Sequence, residues 1–257
     1  MTYSGSAFGP LPPHDASDDD GAGATMPRRV MFHLLGCVPY FQCQDLQRRL
    51  VAHAATGTLS HASVLLAEHP PAITVGRRGS RRHIRVPSDQ LKRRGVEVRW
   101  VDRGGGCVLH GPGQLAVYPV LPIRAWGWKF SQYLERFRRG LVALLNEWGV
   151  SARPTLPGAG VWGHAGAVAA LGVGVTRGVT HHGAWLNVQT DLSDFPRVDI
   201  VPPECVLDDV PTTMSSLAAE RRRPVTMASL RAGVIQYLSQ SLDCDPAHVT
   251  TGHPLLA

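Results

Sequence analysis

Arg103-Gly-Gly-Gly-Cys-Val-Leu-His-Gly-Pro-Gly-Gln114 holds five glycines in twelve positions, with one arginine, one histidine and one glutamine between them. The residues just before it, Val96 to Val101, alternate Val96, Val98 and Trp100 against Glu97 and Arg99, which is strand periodicity. A glycine-rich loop leaving a strand either makes a plain turn or lets a ligand touch backbone. It matches neither GxxxxGK[ST] nor GxGxxG, so a classical nucleotide site is not expected. Outward from it, Ala72 to Gly76 and His61 to Glu68 read as short strands, and Phe41 to Ala55 as a helix through Leu46, Leu50, Val51 and Ala54. Downstream, Phe130 to Trp148 places Phe130, Leu134, Phe137, Leu141, Leu144, Leu145 and Trp148 on one stripe, with Ser131 as the expected cap and Gly149 as the stop. Gly160 to Trp162, Val168 to Val175 and Ala184 to Gln189 read as strands, and Met227 to Leu238 as a last helix. Strands and helices do not alternate regularly, which predicts an α+β fold with a mixed or antiparallel central sheet flanked by helices.

The chain has 257 residues, 44% of them apolar, with 26 basic and 20 acidic side chains for a formal charge of +6. Residues 1–28 are expected to form a disordered leader, because their first 25 positions carry four aspartates, no Lys or Arg, and much Gly, Pro, Ser and Ala. Residues 29–240 are expected to form the working domain and 241–257 a C-terminal tail. Without the first 25 residues the charge rises to about +10, supplied by 24 Arg and only Lys92 and Lys129 as lysines. The longest run without a polar side chain, Ala165 to Val175, is far below the roughly 20 residues of a membrane span, so no membrane association is expected. No signal sequence is read at the start, and a cytoplasmic location is the expectation. Five widely spaced cysteines, without a CxxC pair, predict free thiols and no metal site. No nucleic-acid motif accompanies the basic charge.

Two further stretches carry candidate chemistry. Thr180-His-His-Gly-Ala-Trp-Leu-Asn187 contains adjacent histidines that a regular strand would point to opposite faces, one of them inward. Val201-Pro-Pro-Glu-Cys-Val206 presents Cys205 on a proline-stiffened backbone, as a nucleophile or as a buried structural thiol.

Taken in order, Glu68-His-Pro-Pro-Ala-Ile-Thr-Val-Gly-Arg77, Arg103-Gly-Gly with His110-Gly-Pro-Gly-Gln-Leu-Ala-Val-Tyr-Pro119, and Thr180-His-His-Gly-Ala-Trp-Leu-Asn-Val188 resemble the lipoyl(octanoyl) transferases over roughly residues 30 to 220. The opening Leu34-Leu-Gly-Cys-Val-Pro-Tyr40 fits as well. The resemblance implies the fold shared by biotin and lipoate protein ligases. It also implies an acyltransferase without a cofactor, moving octanoyl from octanoyl acyl carrier protein to a lysine of lipoyl domains in 2-oxoacid dehydrogenase complexes or of the glycine cleavage H protein. Carried over residue by residue, the substrate loop falls on Arg103, Gly104, Gly105, Gly106, Cys107, Val108, Leu109 and His110. The acyl-lining segment falls on Ala170, Leu171 and Gly172, and the following turn on Gly183, Ala184 and Trp185. The catalytic cysteine of the family lies in a Pro-Cys-Gly triplet, and Pro203-Glu-Cys205-Val206 is its displaced counterpart.

Two departures shape the expectation. The family's activating lysine falls on Ala167, and an unassisted thiol near pKa 8.5 is only about 3% thiolate at pH 7, a loss of roughly 30-fold in nucleophile. His182 and His164 are candidate replacement bases, and Cys107 a candidate replacement nucleophile. Trp185 stands where the family more often has a smaller residue, which leaves chain-length preference open. The competing expectation is a catalytically degenerate homologue that binds acyl chains or lipoyl domains. An ATP-dependent lipoate ligase of the same fold is a third.

Overall fold

The computed structural model describes residues 28–58, 61–154, 160–193, 195–199, 213–223 and 225–256. The expected leader, except for its last residue, and Cys205 lie outside these residues. Among them are eleven strands in two sheets. β1 (Arg29–Cys37) runs parallel to β2 (Ala62–Glu68) on one side and to β11 (Asp245–Thr251) on the other. β2 is followed across the sheet by antiparallel β6 (Gln114–Val120), β10 (Val179–Asn187), β9 (Ala167–Thr176), β8 (Gly160–Trp162) and β7 (Arg153–Pro154). The smaller sheet centres β3 (Ala72–Val75) between parallel β4 (Glu97–Trp100) and antiparallel β5 (Cys107–His110). The fold is α+β with a mixed sheet, as the irregular succession of elements predicts.

Strand alternation sorts the side chains into two layers. Val64, Leu66, Leu115, Val117, Ala184 and Leu186 point to the side covered by α3 (Phe130–Glu147) and α5 (Met227–Ser241). Leu65, Ala67, Ala116, Tyr118 and Trp185 point to the side covered by α1 (Tyr40–Ala55). The helices follow their apolar stripes: Tyr133, Phe137, Leu141, Leu144 and Leu145 of α3 meet Leu230, Val234 and Leu238 of α5. Helix α3 opens at Lys129 rather than Ser131, because the Gln132 side chain accepts from the Lys129 N–H at 2.8 Å; Gly149, at φ 76°, lies just past its end. Two further short helices are α2 (Ser88–Arg93), whose Leu91 packs in the small sheet's core, and α4 (Leu217–Arg221), whose Leu217 joins the layer of α3 and α5.

Within the expected tail, residues 241–256 hold regular structure. Helix α5 runs to Ser241, and β11 then adds an edge strand in register from Arg29–Asp245 to Leu34–Thr251. The segment that opens the sequence argument joins the two sheets. It runs from a loop at 101–106 through β5 and a tight turn, with Gly113 at φ 78°, into β6. Among the described residues, no helix is long and apolar enough to cross a membrane.

Candidate functional site

The loop 103–106 is pinned by backbone from three directions. Gly76, Arg77 and Arg78 donate their N–H groups to the carbonyls of Gly106, Arg103 and Gly105, and Gly104 donates its own to Val173 of β9. The approach to β9 is so close that a Cβ on Gly172 would stand 2.8 Å from the Gly104 carbonyl oxygen. The Gly104 N–H is thereby spent on Val173.

Arg103 is fully buried. Its Nη2 donates to the Thr74 carbonyl at 3.0 Å and to Thr74 Oγ1 at 2.8 Å, and its Nη1 donates to the Gly104 carbonyl at 2.9 Å. The guanidinium lies 4.9 Å from the Trp185 ring centroid. Burial lowers its pKa, and among the described residues no carboxylate pairs with it. This is a cation removed from water with only neutral partners, a costly arrangement that makes it a natural receiver of negative charge.

A chain of buried polar groups runs from this arginine. Thr74 Oγ1 is 2.9 Å from His110 Nε2, and His110 Nδ1 is 3.0 Å from Gln114 Oε1. The Gln114 amide donates to the Leu109 carbonyl and to Asn187 Oδ1, each at 3.0 Å, so its oxygen can only accept and His110 must carry its proton on Nδ1. Asn187 then donates to the carbonyl of Ser215 at 3.1 Å. A second chain is fixed just as firmly: the Trp185 N–H donates to Tyr118 at 2.9 Å, Tyr118 donates to His69 Nε2 at 2.8 Å, and His69 Nδ1–H donates to the Val38 carbonyl at 2.6 Å. Tyr40 stacks on His110 at 5.1 Å and places its hydroxyl 3.1 Å from His182 Nδ1. Burial lowers the pKa of His69 to about 4 and of His110 and His182 well below the ordinary value, and raises those of Tyr40 and Tyr118. All five are neutral at pH 7. None of Tyr40, His69, Thr74, Gln114, Tyr118 or Asn187 had been assigned a role from sequence; the available signal was a polar residue inside an apolar strand, which must find a partner when buried.

The residues expected to contact substrate divide between faces. Arg103, Val108, His110, Ala170 and Trp185 converge on the α1 side, where Trp185 stands directly opposite Ala170 in the register of β9 and β10. Leu171 and Ala184 send their side chains into the α3 layer, so only their backbone borders this region. Cys107 turns into the small sheet's core, with Leu109 packed against that core. Its Sγ lies 3.7 Å from the Ser80 carbonyl, and burial raises its pKa despite the nearby Arg103, which makes it a poor replacement nucleophile. Gly183 is needed for packing, since a Cβ there would collide with the Val117 carbonyl. Of the other free thiols among the described residues, burial raises the pKa of Cys43 to about 12 and that of Cys244 to about 11, while Cys37 is exposed at the end of β1.

Ala167 opens β9, buried and held on both sides: its N–H donates to the Thr213 carbonyl and its own carbonyl accepts from Ser215, each at 2.9 Å. Thr213, Met214 and Ser215 thus pass beside Ala167. Both lysines are exposed elsewhere, Lys92 on α2 and Lys129 at the start of α3. Of the candidate bases, His182 is buried and bonded to Tyr40, while His164 is exposed in the turn before β9. His181 and His182 do not point to opposite faces; their rings are 5.1 Å apart, because His182 takes φ 55° and breaks the pleat. Both line a cleft of about 540 Å³ between α1 and the β9–β10 hairpin, together with Gln47, Trp100, Asp102 and Arg177. Among the described residues no cluster of His, Cys, Asp or Glu could hold a metal ion.

The sequence model of the lipoyl protein ligase A/B catalytic domain matches residues 39–239. An octanoyltransferase of Roseiflexus sp. is 36% identical over 228 residues, covering 87% of this chain and 92% of the relative. The chain belongs to the octanoyltransferase family. A second member, from Geobacter metallireducens, is 36% identical over 205 residues, covering 80% of this chain and 90% of its own. The fold of this octanoyltransferase-family chain is also that of lipoate-protein ligase A solved with ATP, at TM-score 0.65 and 18% identity, covering 90% and 91% of the two chains. A bipartite lipoate protein ligase from Thermoplasma acidophilum gives TM-score 0.64 at 19% identity, covering 90% and 89%.

Proposed function

We propose that this family member is an octanoyltransferase that takes its acyl group from octanoyl acyl carrier protein and delivers it to a lysine of a lipoyl domain, in 2-oxoacid dehydrogenase complexes or the glycine cleavage H protein. The observation that carries the reading is the 36% identity to an octanoyltransferase across 87% of the chain. The buried Arg103 beside a glycine-rich loop is the site feature that suits it.

In this reading the Cys205 thiolate attacks the thioester carbonyl of the donor, and the carrier's pantetheine thiol leaves as that carbon–sulfur bond breaks. The recipient lysine, as free amine, then attacks the new thioester, forms the amide and releases Cys205. Each attack puts negative charge on the carbonyl oxygen, and in this reading backbone N–H groups of the glycine loop receive it, a role typically worth about 2 to 4 kcal/mol per donor. An octanoyl tail contributes about 0.8 kcal/mol for each CH₂ it buries. The net charge of +6 favours acidic partners during encounter.

Ala167 favours a second reading, an acyl-binding or lipoyl-domain-binding homologue without turnover, because neither lysine of the chain is near the start of β9 in sequence. The two readings separate in one assay: purified protein, octanoyl acyl carrier protein and an unmodified lipoyl domain, with octanoylation of the domain followed by mass spectrometry. Catalytic formation of octanoyl-lysine supports the transferase. No product from wild type, with product from Ala167→Lys, supports the degenerate homologue.

A further inference from the structure

The cleft between α1 and the β9–β10 hairpin plays no part in the chemistry proposed above. It holds about 540 Å³, a volume in the range of small-molecule sites, and neither Arg103 nor the glycines that follow it line it. Its hairpin wall lies at the opposite end of β9 from Ala167, about 30 Å away at 3.3 Å per residue. Part of that wall is strained. Arg177 and Gly178 form the two-residue turn of the hairpin at φ 53° and 79°, a place that favours Asn or Gly over arginine. His182, at φ 55°, is held from behind by the bond from its N–H to Gln47 Oε1 at 2.7 Å and by the Tyr40 hydroxyl. Two of the four non-glycine residues at positive φ among those described thus line this one cleft, and backbone strain of this kind concentrates at ligand clamps.

Three features define what the cleft can receive. Trp100, on the edge strand β4, forms one wall and is 62% exposed, the most exposed large apolar side chain among the described residues. Arg48 and Arg177 are the cations of the lining: Arg48 is shared with Asp45 at 2.8 Å, and among the described residues no carboxylate pairs with Arg177. The lining's carboxylate, Asp102, faces Arg77 at 3.7 Å. Gln44 is only 8% exposed, yet among the described residues its side-chain amide has no hydrogen-bond partner, which leaves a donor and an acceptor for an occupant. We propose that this cleft is a binding site for a small aromatic anion, with its ring on Trp100, its charge on Arg177 and Arg48, and its polar edge on Gln44. The inference does not rest on the acyl-transfer reading.

The test is calorimetric titration of 1-naphthoate, and of its uncharged analogue 1-naphthamide, into the full-length wild type, Trp100→Ala, Arg177→Glu and Arg139→Glu. Naphthoate is expected to bind the wild type at one site per chain, about fivefold or more tighter than naphthamide. Trp100→Ala removes the stacking face and should weaken naphthoate about tenfold; Arg177→Glu should weaken it about tenfold or more while leaving naphthamide within about twofold. Arg139→Glu, on α3 and outside the cleft, should bind as the wild type does. Trp100 and Arg177 are both exposed, and Trp100→Leu and Arg177→Ala stand in for any variant that a thermal melt shows to be unfolded. A wild type without saturable binding by about 10 mM naphthoate would overturn the proposal. So would equal affinity for naphthoate and naphthamide, or a naphthoate affinity unchanged by the Trp100 and Arg177 substitutions, which would place the probe elsewhere.

Discussion

Acidification should destabilise this protein before it reaches the ordinary carboxylate range. His69, His110 and His182 are buried within one hydrogen-bonded region, and their hydrogen bonds are satisfied by the neutral ring. Their folded pKa values lie below the ordinary 6.5, at about 4 for His69 and well below 6.5 for the other two. A histidine whose pKa is depressed by folding binds its proton more readily in the unfolded chain. It therefore costs nothing above about pH 7, and stability is lost as pH falls from about 6.5 toward the folded pKa. With its folded pKa of about 4, His69 alone removes roughly 2 kcal/mol by pH 5, and His110 and His182, lowered in the same direction by burial, add to that loss, against a total stability of 5 to 15 kcal/mol for an ordinary domain. His33, lowered to about 4, contributes in the same direction, and each such ring adds at most about 1.4 kcal/mol per pH unit to the slope. Urea unfolding followed by tryptophan fluorescence at intervals from pH 7.5 to 5 measures it directly, and His69→Gln should make the slope shallower. A stability that stays flat from pH 7 to 5.5 would refute the claim that these three rings are held neutral.

Other consequences are open to mutation. Tyr118→Phe leaves the Trp185 N–H and His69 Nε2 without partners in a buried region and should cost about 2 to 5 kcal/mol in chemical denaturation; a loss below about 1 would mean the chain of bonds is not formed. Asn187→Leu removes both the acceptor for Gln114 and the donor to Ser215, so it should lower octanoyl transfer at least tenfold while destabilising by about 1 to 3 kcal/mol, measured by single-turnover assay beside a thermal melt. Cys107→Ala, at a thiol turned into the small sheet's core, should keep transfer within about threefold of wild type and cost about 1 kcal/mol of stability; abolished transfer would move the nucleophile to the loop.

Much of the architecture was legible because periodic apolar patterns survive wherever one face is buried. Helices α1, α3 and α5 and strands β2, β3, β4, β8 and β9 follow stripes or runs visible in the sequence. Strand β6 escaped because Pro119 interrupts it, and β11 because Asp245-Pro-Ala-His248 carries no apolar alternation; its place depends on pairing with β1, more than 200 residues away. The glycine loop was recognisable from composition, but which of its neighbours face it was not. Cys107 and Leu109 lie on the opposite side of β5 from Val108 and His110, and the resemblance named all four without distinguishing faces. The burial of Arg103 without a carboxylate also had no trace in sequence, since the arginine itself looks like any of the other 23.

The most direct test of the account is the intact mass of the protein after brief exposure to octanoyl acyl carrier protein, for wild type and Cys205→Ser. One octanoyl group on wild type, released by hydroxylamine and absent from Cys205→Ser, is the predicted result. An unmodified wild type under conditions where the lipoyl domain becomes octanoylated, or an adduct that persists in Cys205→Ser, would contradict it.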